Sequence, residues 1–329
     1  MDQFDLAAVL QRVGAQLIVR GWLSANNIVF AHARSRATAV VDTSYFCHAD
    51  QTVRLVELAL GQRALDHIVN THLHSDHCGG NQALQARFPD AILAAPAGFR
   101  GAVEPWDESR LSFQDTGQHC PPFHVDRFLR PGEAVPLGSL EWEVHAAPGH
   151  DPDALMFYEP QERLLISGDA LWERRLAIIF PELAGEEGFE AAHRTLDAIE
   201  RLNPRWVLPG HGDAFNDVSG ALQRSRTRLS LFAAQPHRHR EHAARALAVF
   251  RMLEMQTCSR EQLEAWMVST PIFCRALGTP TTLPEAIHSG CGHLQRSETS
   301  QLANAARQVI DSLLHDRVLI ARDHNLALE

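Results

Sequence analysis

The chain has 329 residues, enough on length alone for about two domains, and its 45% apolar content can fill a substantial core. A formal net charge of −10 argues against nucleic acid or an anionic membrane as a partner. All 30 basic residues are arginine, so a Schiff-base lysine or a lysine general base is excluded.

The opening segment MDQFDLAAVLQRVGAQLI is acidic and lacks the basic region of a signal peptide. No apolar run approaches the ~20 residues of a membrane span. The six cysteines, at 47, 78, 120, 258, 274 and 291, are far apart and form no C-x-x-C, as expected of reduced thiols in a cytoplasmic protein.

In chain order, AQLIVR and NNIVFA predict two early strands, and ATAVVD a short buried strand ending in Asp. ADQTVRLVELALG has helical spacing at Val53, Val56, Leu58 and Leu60, with Gly61 to close it. LDHIVN is the next buried strand, and it leads directly into THLHSDHCGG, residues 71–80. NQALQARF predicts a short helix stopped by Pro89, and residues 105–135, rich in Pro, Gly, Asp and aromatics, read as an irregular insertion. Strands return at LEWEVHAA, ALMFYE and RLLISG; a helix covers about residues 187–202, and RWVLPG is a last strand. This alternation predicts a layered α/β domain over residues 1–235. Residues 236–329 form a smaller, mainly helical domain in which Ser259 and Gln262 cap REQLEAWM, ETSQLANAARQVIDSLL is amphipathic, and RVLIARD is a closing strand.

The chemistry concentrates in THLHSDHCGG. His72 and His74 are two apart on an extended segment and project to one side; Asp76 and His77 follow where the chain turns toward a helix. Three further loops end an apolar strand with a donor beside glycine: AAPGH supplies His150, ISGD supplies Asp169 and VLPGH supplies His211. His150 can complete a half-site with His72 and His74, and His211 one with Asp76 and His77, while the two oxygens of Asp169 suit bridging. Imidazole and carboxylate suit Zn²⁺, and also Fe or Mn.

The set H-x-H-x-D-H, followed by Gly-His, Gly-Asp and Pro-Gly-His, resembles the metallo-β-lactamase superfamily over about residues 10–225. The resemblance implies an αββα sandwich with a dinuclear site between its sheets. Site one would be His72, His74 and His150, site two Asp76, His77 and His211, with Asp169 bridging and both carboxylates catalytic. Two metals about 3.5–4 Å apart can hold a bridging hydroxide that attacks a carbonyl or phosphorus. THLHSDHCGG is similar to the glyoxalase II type of stretch, which points to a small thioester, ester or lactone as substrate. Alternatives are a phosphodiesterase, a mononuclear iron persulfide dioxygenase, and a non-catalytic metal-binding regulatory protein. Cys78 is not at the cysteine-ligand position of the true zinc β-lactamases, which argues against antibiotic hydrolysis. Asp151 stands where the family often has Thr or Ser, and a carboxylate there can orient a ligand imidazole.

Tyr45 and Trp172 are candidates for the substrate pocket, with packing as the bland reading of each. Cys47 and His48 share the loop of Tyr45; His119, Cys120, His124 and His145 read as loop or strand residues without a role. PHRHREH (His237, His239, His242) reads as a solvated helix start, and HSGCGH (His288, Cys291, His293), with Cys274, as a glycine-rich turn rather than a structural zinc site. The tail resembles winged-helix tails, yet from His237 onward it carries ten Arg and ten acidic residues, without the basic excess of a DNA reader. It is expected to cover the metal cleft or form a contact in a homo-oligomer, leaving a small molecule as the substrate.

Overall fold

The structure, a computed structural model, describes residues 2–32, 35–278, 296–322 and 325–329. The chain divides into two compact units. The first comprises Met1–Phe113, His119–Pro181 and Glu187–Leu229; the second comprises Gln114–Gln118, Glu182–Glu186 and Ser230–Glu329.

The first unit is built on two sheets. One runs in the order β1 (Ala15–Ile18), β2 (Asn27–Phe30), β3 (Ala39–Val41), β4 (His67–Val69), β5 (Ile92–Pro96), β6 (Arg127–Leu129). The other runs β11 (Trp206–Pro209), β10 (Leu164–Gly168), β9 (Leu155–Glu159), β8 (Leu140–Ala146), β7 (Ala134–Leu137). The apolar runs of β2 to β5 are continuous because both faces of that sheet are buried. Ile28, Phe30, Val41 and Val69 meet Trp142, Phe157, Ile166 and Leu208 of the other sheet. Their neighbours Val29, Val40, Ile68 and Leu93 turn the opposite way, onto Val56 and Leu60 of helix Ala49–Leu60 and Leu84 of helix Asn81–Arg87. Parallel pairing of β3 with β4, β4 with β5, and β10 with β11 requires helical crossovers, and the last is helix Gly188–Leu202. Crossovers of this kind leave the carboxyl ends of the strands free to present side chains. The predicted αββα sandwich is the fold observed.

Two features differ from expectation. Residues 105–135 are not wholly irregular: they contain β6 and the start of the hairpin β7–β8 at the sheet edges. Pro136 sits within β7, an edge strand, where a missing N–H costs no ladder bond. The opening residues form a helix, Asp2–Val13, whose Val9 and Val13 join the core between the sheets.

The second unit carries helices Pro236–Met255, Arg260–Ser269, Pro271–Ala276 and Arg296–His315, and a sheet ordered β12 (Thr257–Ser259), β14 (Asn325–Leu328), β13 (Leu319–Arg322). The expected capping box is formed: the Gln262 amide donates to Ser259 Oγ at 3.2 Å, and the Ser259 amide to Gln262 Oε1 at 2.8 Å. HSGCGH lies outside the described residues. Among the described residues, no helix is long and apolar enough to cross a membrane.

The solvated reading of PHRHREH fails at His239, which is 2% exposed and packs on Phe232 at 5.3 Å between ring centroids. Helical phase explains it, since His239 lies on the stripe of Ala243, Leu247 and Ala248. Burial, then His242 and Arg240, push its pKa down to about 4. The folded value lies below the unfolded one, so this contribution to stability is present above the unfolded pKa and is lost as pH falls toward 4. About 2 kcal/mol should disappear between pH 7 and pH 5. Urea unfolding at both pH values should show that slope, and His239→Gln should flatten it; equal slopes would refute the assignment.

Candidate metal centre

Each candidate ligand leaves the carboxyl end of a strand. His72 and His74 follow β4, and the chain then forms one helical turn, Ser75–Cys78, that redirects Asp76 and His77. His150 follows β8, Asp169 follows β10 and His211 follows β11. Side chains far apart in sequence thus converge because these strands end together.

His72 Nε2 lies 3.1 Å from His74 Nδ1, which is 2.8 Å from His150 Nε2. Hydrogen-bond partners fix the tautomers of His150 and His72. The Ile178 carbonyl accepts from His150 Nδ1–H at 2.6 Å. Thr71 Oγ1 gives its proton to Asp42 Oδ2 at 2.9 Å and therefore accepts from His72 Nδ1–H at 3.0 Å. His74 Nε2 faces Asp151 Oδ2 at 3.5 Å, and a proton on that nitrogen leaves Nδ1 bare. With the His74 proton on Nε2, three lone pairs meet, an arrangement that a cation at their centre relieves. Burial, followed by the neighbouring imidazoles, drives the His72 pKa well below its usual value; burial, then His150, pushes His74 down to about 3. Both rings are neutral near pH 7, as ligands must be.

In the second group, Asp76 Oδ2 is 3.0 Å from His211 Nε2 and 3.8 Å from His77 Nε2. His77 Nδ1–H donates to Asp42 Oδ2 at 2.8 Å, turning Nε2 inward. That buried Nε2 has no hydrogen-bond partner. Burial alone would lower the His77 pKa, but Asp169, Asp42 and Asp76 outweigh it and raise it well above the ordinary value. The position is one that attracts a positive charge. Asp169 reaches both groups: Oδ1 is 3.3 Å from His77 Nε2, and Oδ2 is 3.5 Å from His150 Nε2 and 3.9 Å from His211 Nε2. The donor atoms fall into three sets of metal-binding spacing: His72, His74 and His150; His72, His77 and Asp169; Asp76, His77 and His211. The residues present therefore fit a metal pair.

The surroundings hold these groups closely. A Cβ on Gly210 would sit 2.3 Å from Asp169 Oδ1, and one on Gly80 2.3 Å from the Thr43 carbonyl oxygen. Glycine at both positions lets the loops approach. Asn70 Nδ2 donates to the His77 carbonyl at 3.1 Å, and Asn81 Nδ2 to Asn70 Oδ1 at 2.7 Å, so the ligand turn is anchored by a buried amide pair.

Asp42 is the residue that the sequence did not single out. It is buried, has φ 57°, and accepts from the Thr71 amide at 2.9 Å, from the Thr71 hydroxyl and from His77. It thereby fixes one imidazole in each group, directly or through Thr71. Its only sequence signal is the polar end of the apolar run ATAVVD. Asp151 does orient an imidazole, but that of His74; His150 is held by the Ile178 carbonyl.

Of the two pocket candidates, Trp172 lies at the centre: its Nε1–H donates to Asp169 Oδ1 at 3.1 Å, and its ring packs edge-on to His211 at 5.3 Å. Tyr45 is fully buried, with its ring against Phe46 and its hydroxyl 3.5 Å from the His119 amide. The weaker residues take ordinary partners. His48 Nδ1 meets Ser24 Oγ at 2.7 Å, His145 pairs with Glu143 at 3.0 Å and His124 with Asp126 at 3.5 Å. Cys78 and Cys120 are buried, with Sγ atoms 3.6 Å apart.

Two facing sheets, flanking helices and a histidine–carboxylate cluster at the strand ends define a metal-binding α/β sandwich. Residues 20–211 match the model of the metallo-beta-lactamase superfamily, and the chain belongs to that superfamily. It is 33% identical over 151 residues to a hydroxyacylglutathione hydrolase of Thermosynechococcus vestitus, covering 46% of this chain and 50% of that protein. It is 26% identical over 157 residues to an acyl-coenzyme A thioesterase of Gallus gallus, covering 45% and 56%. The chain thus spans about half the length of these curated relatives. Its fold is similar to that of a metallo-beta-lactamase family protein from Thermus thermophilus, with TM-score 0.52 and 20% identity over 96% of this chain and 99% of that one.

Proposed function

We propose that the chain is a metal-dependent hydrolase of small acyl thioesters. The observation that carries this reading is the convergence of two donor groups on one carboxylate, Asp169. His72, His74 and His150 would hold one divalent cation and Asp76, His77 and His211 the other, with Asp169 spanning them. Zinc suits the donors, and so do iron and manganese. Such a pair supplies Lewis acidity and lowers the pKa of water. Asp76, the more open of the two carboxylates, orients the attacking water, while Trp172 Nε1 holds Asp169 in place. The names of the hydroxyacylglutathione hydrolase and acyl-coenzyme A thioesterase relatives support a thioester over other carbonyl electrophiles. The net charge of −10 weighs against a polyanionic nucleic acid.

Metal-reconstituted protein should cleave a small thioester faster than a phosphodiester or single-stranded RNA, as measured by initial rates at matched concentration. A wide preference for the phosphodiester or the RNA would replace this reading with a phosphodiesterase.

A further inference from the structure

Beside the second donor group lies a patch that hydrolysis itself does not require. The Trp22 ring stacks on His211, with centroids 5.5 Å apart and planes 11° from parallel, and meets Trp172 edge-on at 5.4 Å. The Arg175 guanidinium lies 4.8 Å from the Trp22 ring centroid. Trp22 remains 40% exposed, although a tryptophan with this many ring contacts would ordinarily be covered.

The loop carrying Trp22 is fastened to the metal-binding loops. The Ala25 amide donates to the Asp76 carbonyl at 2.9 Å and the Asn26 amide to the Gly210 carbonyl at 2.7 Å. Asn26 Nδ2 donates to the carbonyls of Pro209 at 3.0 Å and Gly212 at 2.8 Å. The position of the indole is therefore set by the same backbone that presents Asp76 and His211.

Arg175 is unlike its neighbours. Arg174 pairs with Glu173 at 3.2 Å, and Arg224 pairs with Asp217 at 3.1 Å. Among the described residues, no carboxylate pairs with Arg175. A guanidinium stacked on an aromatic face keeps its N–H edges free for a carboxylate or phosphate. The stacking also reduces the rotamer freedom that binding would otherwise remove.

We propose that Trp22 and Arg175 form a subsite for the anionic arm of the thiol carrier of an acyl thioester, with the indole supporting the arm and the guanidinium binding its carboxylate or phosphate. The proposal rests on the thioester reading above and narrows it to charged carriers. The acyl carbonyl would lie at the metal centre, and the carrier would run outward past His211.

The test uses two thioethers that cannot be hydrolysed, S-ethyl glutathione with its carboxylates and S-ethyl coenzyme A with its phosphates. Each is titrated calorimetrically into full-length, zinc-reconstituted protein. At least one should bind the unaltered chain, and the tighter of the two identifies the anion. Arg175→Ala should weaken that ligand about tenfold or more, Arg175→Glu further, and Arg175→Lys less. With the matching acetyl thioester, Arg175→Ala should raise KM and leave kcat unchanged, whereas the acetyl thioester of neutral N-acetylcysteamine should keep its kcat/KM. Failure of both thioethers to bind, unchanged affinity in Arg175→Ala and Arg175→Glu, or an equal loss with the neutral thioester would overturn the subsite. If Arg175-dependent binding persists but no thioester is hydrolysed, the subsite stands and the hydrolase reading falls.

Discussion

Replacing Asp169 with alanine should remove most of the bound metal and nearly all turnover. Its carboxylate approaches imidazoles of both donor groups and is the only acidic side chain placed between them among the described residues. Without it, two cations at close range would lose the negative charge that offsets their repulsion, so both should loosen. Lewis-acid stabilisation is worth several kcal/mol at the transition state, so the expected loss is roughly a thousandfold in kcat/KM. The variant should still fold, since alanine is smaller and removes a buried carboxylate without adding atoms to the site. Metal analysis and initial rates on the same preparation provide the check. Near-normal activity with full metal content would rule out a bridging role.

Asp42→Asn should give the next largest effect, although no ligand is altered. The amide keeps the size of the carboxylate but presents at most one acceptor oxygen. At present Oδ2 accepts from both the Thr71 hydroxyl and His77 Nδ1, while Oδ1 accepts from the Thr71 amide. At least one of these buried donors must lose its partner, and the His77 ring loses the charge that orients it. Metal affinity should fall about 10–100-fold, as is usual when the group behind a ligand histidine is removed. Competition against a chromophoric chelator measures this directly. The second donor group should weaken more than the first, because Asp42 touches His77 directly but His72 only through Thr71. Unchanged affinity at both groups would show that the imidazoles are held by packing alone.

The cluster of candidate ligands was legible in the sequence because its signals are local. H-x-H-x-D-H sets the spacing, and each of the other three donors sits beside a glycine at the end of an apolar run. The layered fold was legible for a related reason: continuous apolar strands alternating with helices point to a sheet buried on both faces. Asp42, Trp22 and Arg175 were not legible as part of the site, because their placement depends on pairings between distant segments. Asp42 reaches Thr71 and His77 only because β3 runs parallel to β4, and Trp22 reaches His211 only through the backbone bonds of residues 25 and 26. Strand β8 was legible as LEWEVHAA, but its partner β7 was not: it is four residues long and carries Pro136, which is tolerated only because the strand lies at the sheet edge. His239 misled for the opposite reason. Its polar neighbours dominate the heptapeptide, while the helical stripe that buries it appears only at Ala243 and beyond.

If two cations share Asp169, hydrolysis should depend on both of them. The most direct measurement is a titration of chelator-stripped protein with zinc, manganese or iron, following both metal bound per chain and the rate of thioester cleavage. Activity should be absent at the start, rise with bound metal and level off near two equivalents. Full thioester cleavage by the stripped protein, or no metal retained with any of the three ions, would contradict it.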